Sequence, residues 1–311
     1  MTAANGGGGF LLIFLISTIL IGFPLLLAEF ALGRSAGVSA IKTFGKLGKN
    51  NKYNFIGWIG AFALFILLSF YNVIGGWILV YLGIEFGKLF QLGGTGDYAQ
   101  LFTSIISNPA IALGAQAAFI LLNIFIVSRG VQKGIERASK VMMPLLFIVL
   151  PQLFDKMPFG TIFYVLFLFA TVTSSVVMLE INVGNITNQD NSKRAKWSVI
   201  LGILTFVFGI PSALSYGVMA DVHIFGKTFF DAMDFLVSNL LMPFGALYLS
   251  LFTGYIFKKA LAMEELHLDE RAWKQGLFQV WLFLLRFFVS SFQSSSLWSS
   301  LPNLCNQKGL E

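Results

Sequence analysis

Three consecutive hydroxyls, Thr173-Ser174-Ser175, lie in the second half of an apolar run from Phe159 to Leu179. That run is long enough to cross a bilayer. Ala170, Thr173, Ser174 and Val177 follow i, i+3, i+4, i+7 spacing and so share one helical face. Small residues and side-chain oxygens on one face either let a second helix approach or help to hold a small cation. The residues alone leave both open. Tyr71-Asn72 falls at mid-depth of another apolar run, one turn before Gly75-Gly76. A tyrosine there caps a helix contact or points its hydroxyl into a cavity. Asp231 and Asp234 open a third run, where the helix dipole favours acids. Glu29, near the end of the first run, is expected at the interface beside Arg34, and Arg286 in the last run is expected to snorkel or to meet an internal acid.

The composition excludes several classes. Of 311 residues, 56% are hydrophobic and 12% charged, and 34 are Phe. Soluble domains carry about 25% charged residues, so the solvent for most of this chain is a lipid bilayer. In such a protein the net charge of +6 matters less than where Lys and Arg fall, and binding of nucleic acid is not indicated. The single Cys305 rules out an intrachain disulfide and a Cys-based metal cluster, and His223 and His267 are far apart in loops. No GxSxG or HExxH pattern and no intramembrane Asp pair is present, so an enzyme is not expected.

The elements that must position these residues are membrane spans at about 10–32, 55–86, 109–127, 137–154, 158–181, 197–219, 229–257 and 276–290. Seven are good spans. The fourth is short and carries Pro144 and Pro151, where a full span needs about 20 apolar residues. The basic loops 34–52, 129–140, 193–196 and 258–274 hold sixteen Lys and Arg, and the alternate loops hold three, Lys88, Lys156 and Lys227. The positive-inside rule makes the first set cytoplasmic, in a multi-pass protein of the cell membrane. One transmembrane domain, 1–290, is then expected, followed by a Ser-rich disordered tail, 291–311.

Several stretches in this order resemble the neurotransmitter:sodium symporter family, in its bacterial amino-acid transporter branch. Asn5-Gly-Gly-Gly-Gly-Phe10 is similar to the junction of that family's first and second helices. Gly22-Phe-Pro-Leu-Leu-Leu-Ala-Glu-Phe-Ala-Leu-Gly-Arg34 is similar to its second helix and the loop after it. Gly130-Val-Gln-Lys-Gly-Ile-Glu136, on to Pro144, resembles the start of the fifth. Phe169-Ala-Thr-Val-Thr-Ser-Ser175 resembles the eighth, and Asp231-Ala-Met-Asp-Phe235 the start of the tenth. The resemblance covers about residues 3–289.

The resemblance implies an all-α integral membrane protein, a leucine-transporter-like helical bundle of seven to eight membrane segments, that takes up an amino acid or related small solute with sodium. It implies no organic cofactor and leaves chloride dependence, oligomeric state and the identity of the amino acid open. Broken first and sixth helices hold substrate and ions in this family. The Ala170 carbonyl and the hydroxyls of Thr173 and Ser174 resemble the eighth-helix half of one sodium site. Tyr71 resembles the tyrosine that meets the substrate carboxylate, Leu67 and Met178 resemble apolar walls beside it, with Ser174 adjoining both sites, and Asp234 resembles the acid of the external gate. Gly134 and Pro144 resemble a fifth-helix element of inner-side unwinding. The family's first helix has no counterpart after Met1, and between Leu150 and Pro151 the resemblance passes from mid-fifth helix to the loop before the eighth. The bundle is therefore expected to be incomplete, without the first, sixth and seventh helices, and the 311-residue chain is expected to be inactive in coupled transport. The alternative expectation is a non-transporting membrane protein or degraded remnant.

Overall fold

The computed structural model describes residues 7–89, 98–129, 159–188, 190–268, 272–295 and 297. The weak fourth span, Gly134, Pro144, Pro151 and Cys305 lie outside them. Among the described residues seven helices are long and apolar enough to cross a membrane: α1 (Gly8–Ala36), α3 (Asn54–Leu89), α5 (Pro109–Ser128), α6 (Thr161–Thr187, within the helix Phe159–Thr187), α7 (Asn191–Leu214), α8 (Phe229–Ile256) and α10 (Lys274–Ser295). Shorter helices are α2 (Ala40–Leu47), α4 (Tyr98–Ser107) and α9 (Lys259–Glu265). A two-stranded hairpin, His223–Ile224 with Lys227–Thr228, turns through Phe225 and Gly226, both at positive φ. The chain groups into two compact units, Met1–Ala61 with Leu236–Glu311 and Phe62–Phe235.

The first unit is built on α1, α2, α9, α10 and most of α8. Ala28, Ala31, Leu32, Phe44, Ile56, Phe252, Trp281 and Leu285 form its buried core. Phe44 meets Phe252 edge-on at 5.1 Å. α1 and α8 each widen in the turn before a proline, which removes a donor. Pro24 has no N–H for the Leu20 carbonyl, and the turn Thr18–Gly22 just before it widens. The Pro24 carbonyl in turn accepts from Trp281 Nε1 at 3.0 Å, tying α1 to α10. Pro243 follows a second widened turn, Leu236–Leu241. α1 stops at Gly37, whose φ of 57° suits a residue without Cβ and whose N–H closes on Gly33 O at 3.1 Å.

Three expectations change in this unit. Arg34 pairs with Glu265 of α9 at 3.2 Å, not with Glu29. Five residues along a helix turn a side chain about 140° round the axis, so Glu29 and Arg34 point apart. Arg286 meets no acid among the described residues. It donates through Nε to Gly254 O at 2.7 Å, a carbonyl in the widened turn Phe252–Ile256, and stacks 5.0 Å from the Tyr255 ring. The last helix runs on to Ser295, five residues beyond its expected end. Ser294 and Ser295 return their hydroxyl protons to Ser291 O and Phe292 O, which keeps a serine-rich turn helical.

The second unit holds most of α3 with α4, α5, α6, α7 and the start of α8. α5 is capped by Asn108, whose Oδ1 accepts from the N–H groups of Ala110 and Ile111, with Pro109 at the first position. α7 is capped by Asp190 on Ser192 N at 2.9 Å. Leu68 of α3, Val127 of α5, Val176, Leu179 and Val183 of α6 and Leu201 of α7 form one buried cluster. Gly75 and Gly76 let α3 close on α5: a methyl on Gly75 would meet the Phe119 ring at 2.4 Å, and one on Gly76 the Ala115 backbone at 2.8 Å.

Candidate functional site

α6 has two unlike faces. Thr171, Ser175, Val176, Leu179 and Val183 are buried, whereas Ala170, Ser174 and Val177 are exposed and Thr173 is half-buried. The helix turns 100° per residue, so three adjacent hydroxyls cannot share a role. Ser175 donates to Asn123 Oδ1 of α5 at 2.7 Å and lies 3.0 Å from Val172 O, while Asn123 Nδ2 donates to Phe119 O at 2.9 Å. Ser175 is the helix-packing hydroxyl. Thr173 and Ser174 point elsewhere, onto the open face.

On that face three oxygens converge. Thr173 Oγ1 lies 2.7 Å from Phe169 O and 3.0 Å from Ala170 O, and Ser174 Oγ lies 3.1 Å from the same Ala170 carbonyl. Back-bonding of this kind satisfies a hydroxyl in any membrane helix. Here it also sets polarity. With its proton on Phe169 O, Thr173 Oγ1 turns both lone pairs outward, beside the Ser174 oxygen and the Ala170 carbonyl to which Ser174 Oγ donates. One carbonyl and two hydroxyl oxygens, hard and neutral, are a donor set for an alkali cation, and they do not suit a transition metal. Among the described residues no group of three or more His, Cys, Asp or Glu could hold a metal ion.

α3 lies against α6 in the opposite direction. Tyr81 stacks on Tyr164 at 5.2 Å, and Leu68 shares a cluster with Val176 and Leu179. These contacts bracket Tyr71 on one helix and Thr173–Ser174 on the other, so the two lie at the same level. Tyr71 and Leu67, one turn apart, are both half-buried. Met178 is packed against the Leu68–Val176 cluster, and its carbonyl accepts from Asn182 Nδ2 at 3.2 Å. Asp234 is exposed on the first turns of α8, one turn after Phe230, which meets Phe70 at 5.5 Å and Trp77 at 5.7 Å.

Beside Asp234 the helix start is organised by Asp231. Asp231 accepts from Thr228 Oγ1 at 2.7 Å and from Tyr216 Oη at 3.2 Å. Burial, and then the Asp231 charge, push the Tyr216 phenol up to about 12. At the other end of α6, Arg194 of α7 donates to Glu180 Oε1, and both side chains are largely buried. Sequence reasoning missed Asn123, Glu180 and Arg194. Asn123 was findable: Ala112, Ala115, Gln116, Phe119, Asn123 and Val127 form one buried stripe at helical spacing.

A family model described as the sodium:neurotransmitter symporter family matches residues 1–91. A sodium-dependent transporter of Bacillus subtilis (strain 168), YhdH, is 36% identical, with 93% of this chain and 89% of the relative covered. The chain belongs to the sodium:neurotransmitter symporter family. It is thus a multi-pass membrane protein of a sodium-dependent transporter family. The alignment with the Bacillus relative runs over 402 positions, more than this chain's 311 residues, so the chain is shorter than the relative within the aligned stretch. A sodium-dependent transporter of Haemophilus influenzae is 31% identical over 166 residues, 48% of this chain and 35% of the relative. Among solved structures, MhsT in complex with L-phenylalanine matches with TM-score 0.81 and 26% identity, over 96% of this chain and 92% of that one. The fold is therefore the helical bundle of the leucine-transporter type, and the relatives are transporters rather than enzymes.

Proposed function

We propose that this protein descends from a sodium-coupled amino-acid symporter and that α6 carries one side of its sodium site. The observation that carries the reading is the convergence of Ala170 O, Thr173 Oγ1 and Ser174 Oγ on the open face of α6, while Ser175 alone binds the neighbouring helix. In this reading the arriving cation takes the outward lone pairs of Thr173 Oγ1, and the Ser174 proton turns aside, which exposes the Ser174 oxygen and frees the Ala170 lone pair that proton had held. Family membership supports sodium as the coupling ion. The neighbour holding L-phenylalanine supports an amino acid as the solute. Tyr71, level with the oxygens, meets the substrate's carboxylate. Leu67, Ser174 and Met178 border its apolar part, and Asp234 closes the external side. The basic loops 34–52, 129–140, 193–196 and 258–274 face the cytoplasm.

One helix face surrounds only one side of a cation, which needs oxygens around it to replace its water shell. We further propose that the 311-residue chain by itself does not couple solute to sodium. The support is the shortfall against the Bacillus relative, which we place between Leu150 and Pro151. A helix transplant tests the site apart from the gap. The segment 159–187 replaces its aligned segment in the Bacillus relative, which is reconstituted in liposomes and assayed with a mixture of labelled amino acids. The transplant is expected to keep sodium-driven uptake. Thr173→Val or Ser174→Ala within it is expected to raise the half-saturating sodium concentration about tenfold, the factor set by losing about 1.4 kcal/mol of ion binding. An unchanged sodium dependence in both variants refutes the assignment.

A further inference from the structure

We infer that the seam between α3, α5 and α7 encloses an ordered water held by Asn72, Gln116 and Ser212. All three side chains are fully buried, at 0% exposure. Both amide atoms of Asn72, Gln116 Oε1 and Ser212 Oγ have no hydrogen-bond partner among the described residues. Gln116 Nε2 alone is engaged, donating to Phe206 O of α7 at 3.2 Å. Groups so fully buried within membrane helices have no bulk solvent to turn to, and leaving them bare is costly.

Three contacts place the groups together. A methyl on Gly76 would lie 2.8 Å from Gln116 N, and one on Gly209 would lie 2.2 Å from Gln116 Nε2 and 2.4 Å from Ser69 O. The Gln116 side chain therefore runs along α3 from the level of Gly76 to the Ser69 carbonyl. Asn72 lies between them on the same face, since Ser69, Asn72 and Gly76 follow i, i+3, i+7. Ser212 is one turn beyond Gly209 on α7, and its neighbour Ala213 packs with Val73 and Ala112. The unpaired set comprises donors and acceptors: the Asn72 NH2, the Ser212 hydroxyl, Asn72 Oδ1 and Gln116 Oε1. A water molecule, with two donors and two acceptors, matches it, and a buried water needs two to four such partners. A cation would face the Asn72 NH2 donors, so the chemistry selects the neutral ligand. The consequence is positional: the water fixes the rotation of α3, and Tyr71 is the residue before Asn72.

This inference is independent of the sodium reading. It is tested by water-edited solid-state NMR on the full chain in lipid, with 15N-labelled Asn and Gln side chains. The Asn72 and Gln116 amides are expected to receive magnetisation from water at mixing times at which other buried amides receive none. In Gln116→Leu the Asn72 transfer is expected to fall at least threefold. Direct Asn72–Gln116 transfer with no water signal in the unmodified chain overturns the inference, and so does an amide spectrum that moves when sodium replaces potassium. The unmodified chain alone decides the matter if the variant does not fold.

Discussion

Removing the Ser175–Asn123 bond tests whether α6 is held in the rotation that presents its oxygens. Ser175 Oγ and Asn123 Oδ1 are 2.7 Å apart, and both residues are 0% exposed. With Ser175 facing α5, Ser174 lies about 100° round the helix and Thr173 about 160°, which turns both away from α5. Ser175→Ala orphans one acceptor, Asn123 Oδ1, and no donor, because Asn123 Nδ2 keeps Phe119 O. An orphaned buried acceptor costs about 1–3 kcal/mol, whereas interhelical hydrogen bonds in membranes average about 0.6 and reach about 1.7 kcal/mol. The membrane figure governs, since the unfolded helices also find partners in lipid. Ser175→Ala is therefore expected to cost about 1 kcal/mol. Asn123→Ala is expected to cost about 2 kcal/mol, the excess coming from lost packing. The double variant is expected to fall short of their sum by about 0.5–1 kcal/mol. Equilibrium unfolding by titrating sodium dodecyl sulfate into mixed micelles reads all four corners of the cycle. Strict additivity would mean that the bond does not hold α6.

Gly76→Ala is expected to destabilise by about 1–3 kcal/mol in the same titration, because the nearest atoms are the backbone of Ala115 and Gln116. Gly60→Ala, with open space round the new methyl, is expected to be neutral or to gain up to about 1 kcal/mol. Arg194→Gln leaves the largely buried Glu180 unpaired and is expected to lower the unfolding midpoint markedly, with Glu180→Gln in the same chain recovering part of the loss. Tyr216 keeps its proton more tightly in the folded chain, so its contribution is complete below pH 10 and is lost as pH rises toward about 12. Ultraviolet titration is expected to show a late phenolate step that Tyr216→Phe removes and that Asp231→Asn moves down only in part, burial being the larger cause.

The helices were legible because runs of about 20 apolar residues have few alternatives, and the open face of α6 was legible because Ala170, Thr173, Ser174 and Val177 keep helical spacing. What separates Ser175 from Thr173 and Ser174 was not. That distinction depends on Asn123, 52 residues earlier, and periodicity assigns faces without naming what packs on them. Arg34 shows the same limit: Glu29 was near in sequence, but Glu265 is near in space. Arg286 found a carbonyl in the last turn of α8, where the helix ends at Ile256 and leaves its final carbonyls without helical partners. The serine-rich end was legible as polar but not as helical, because hydroxyls that return to their own backbone remove the reason to leave the helix.

Uptake by the chain itself decides whether α6 offers one side of a sodium site that these 311 residues leave incomplete. Proteoliposomes holding this chain, and in parallel the longer Bacillus relative, receive a mixture of labelled amino acids under an inward sodium gradient or an equal potassium gradient. Sodium-driven accumulation is expected for the relative, and equal background uptake under both gradients for this chain. Accumulation by this chain that needs sodium and disappears in Thr173→Val would contradict this expectation, because the site would then be complete without further helices.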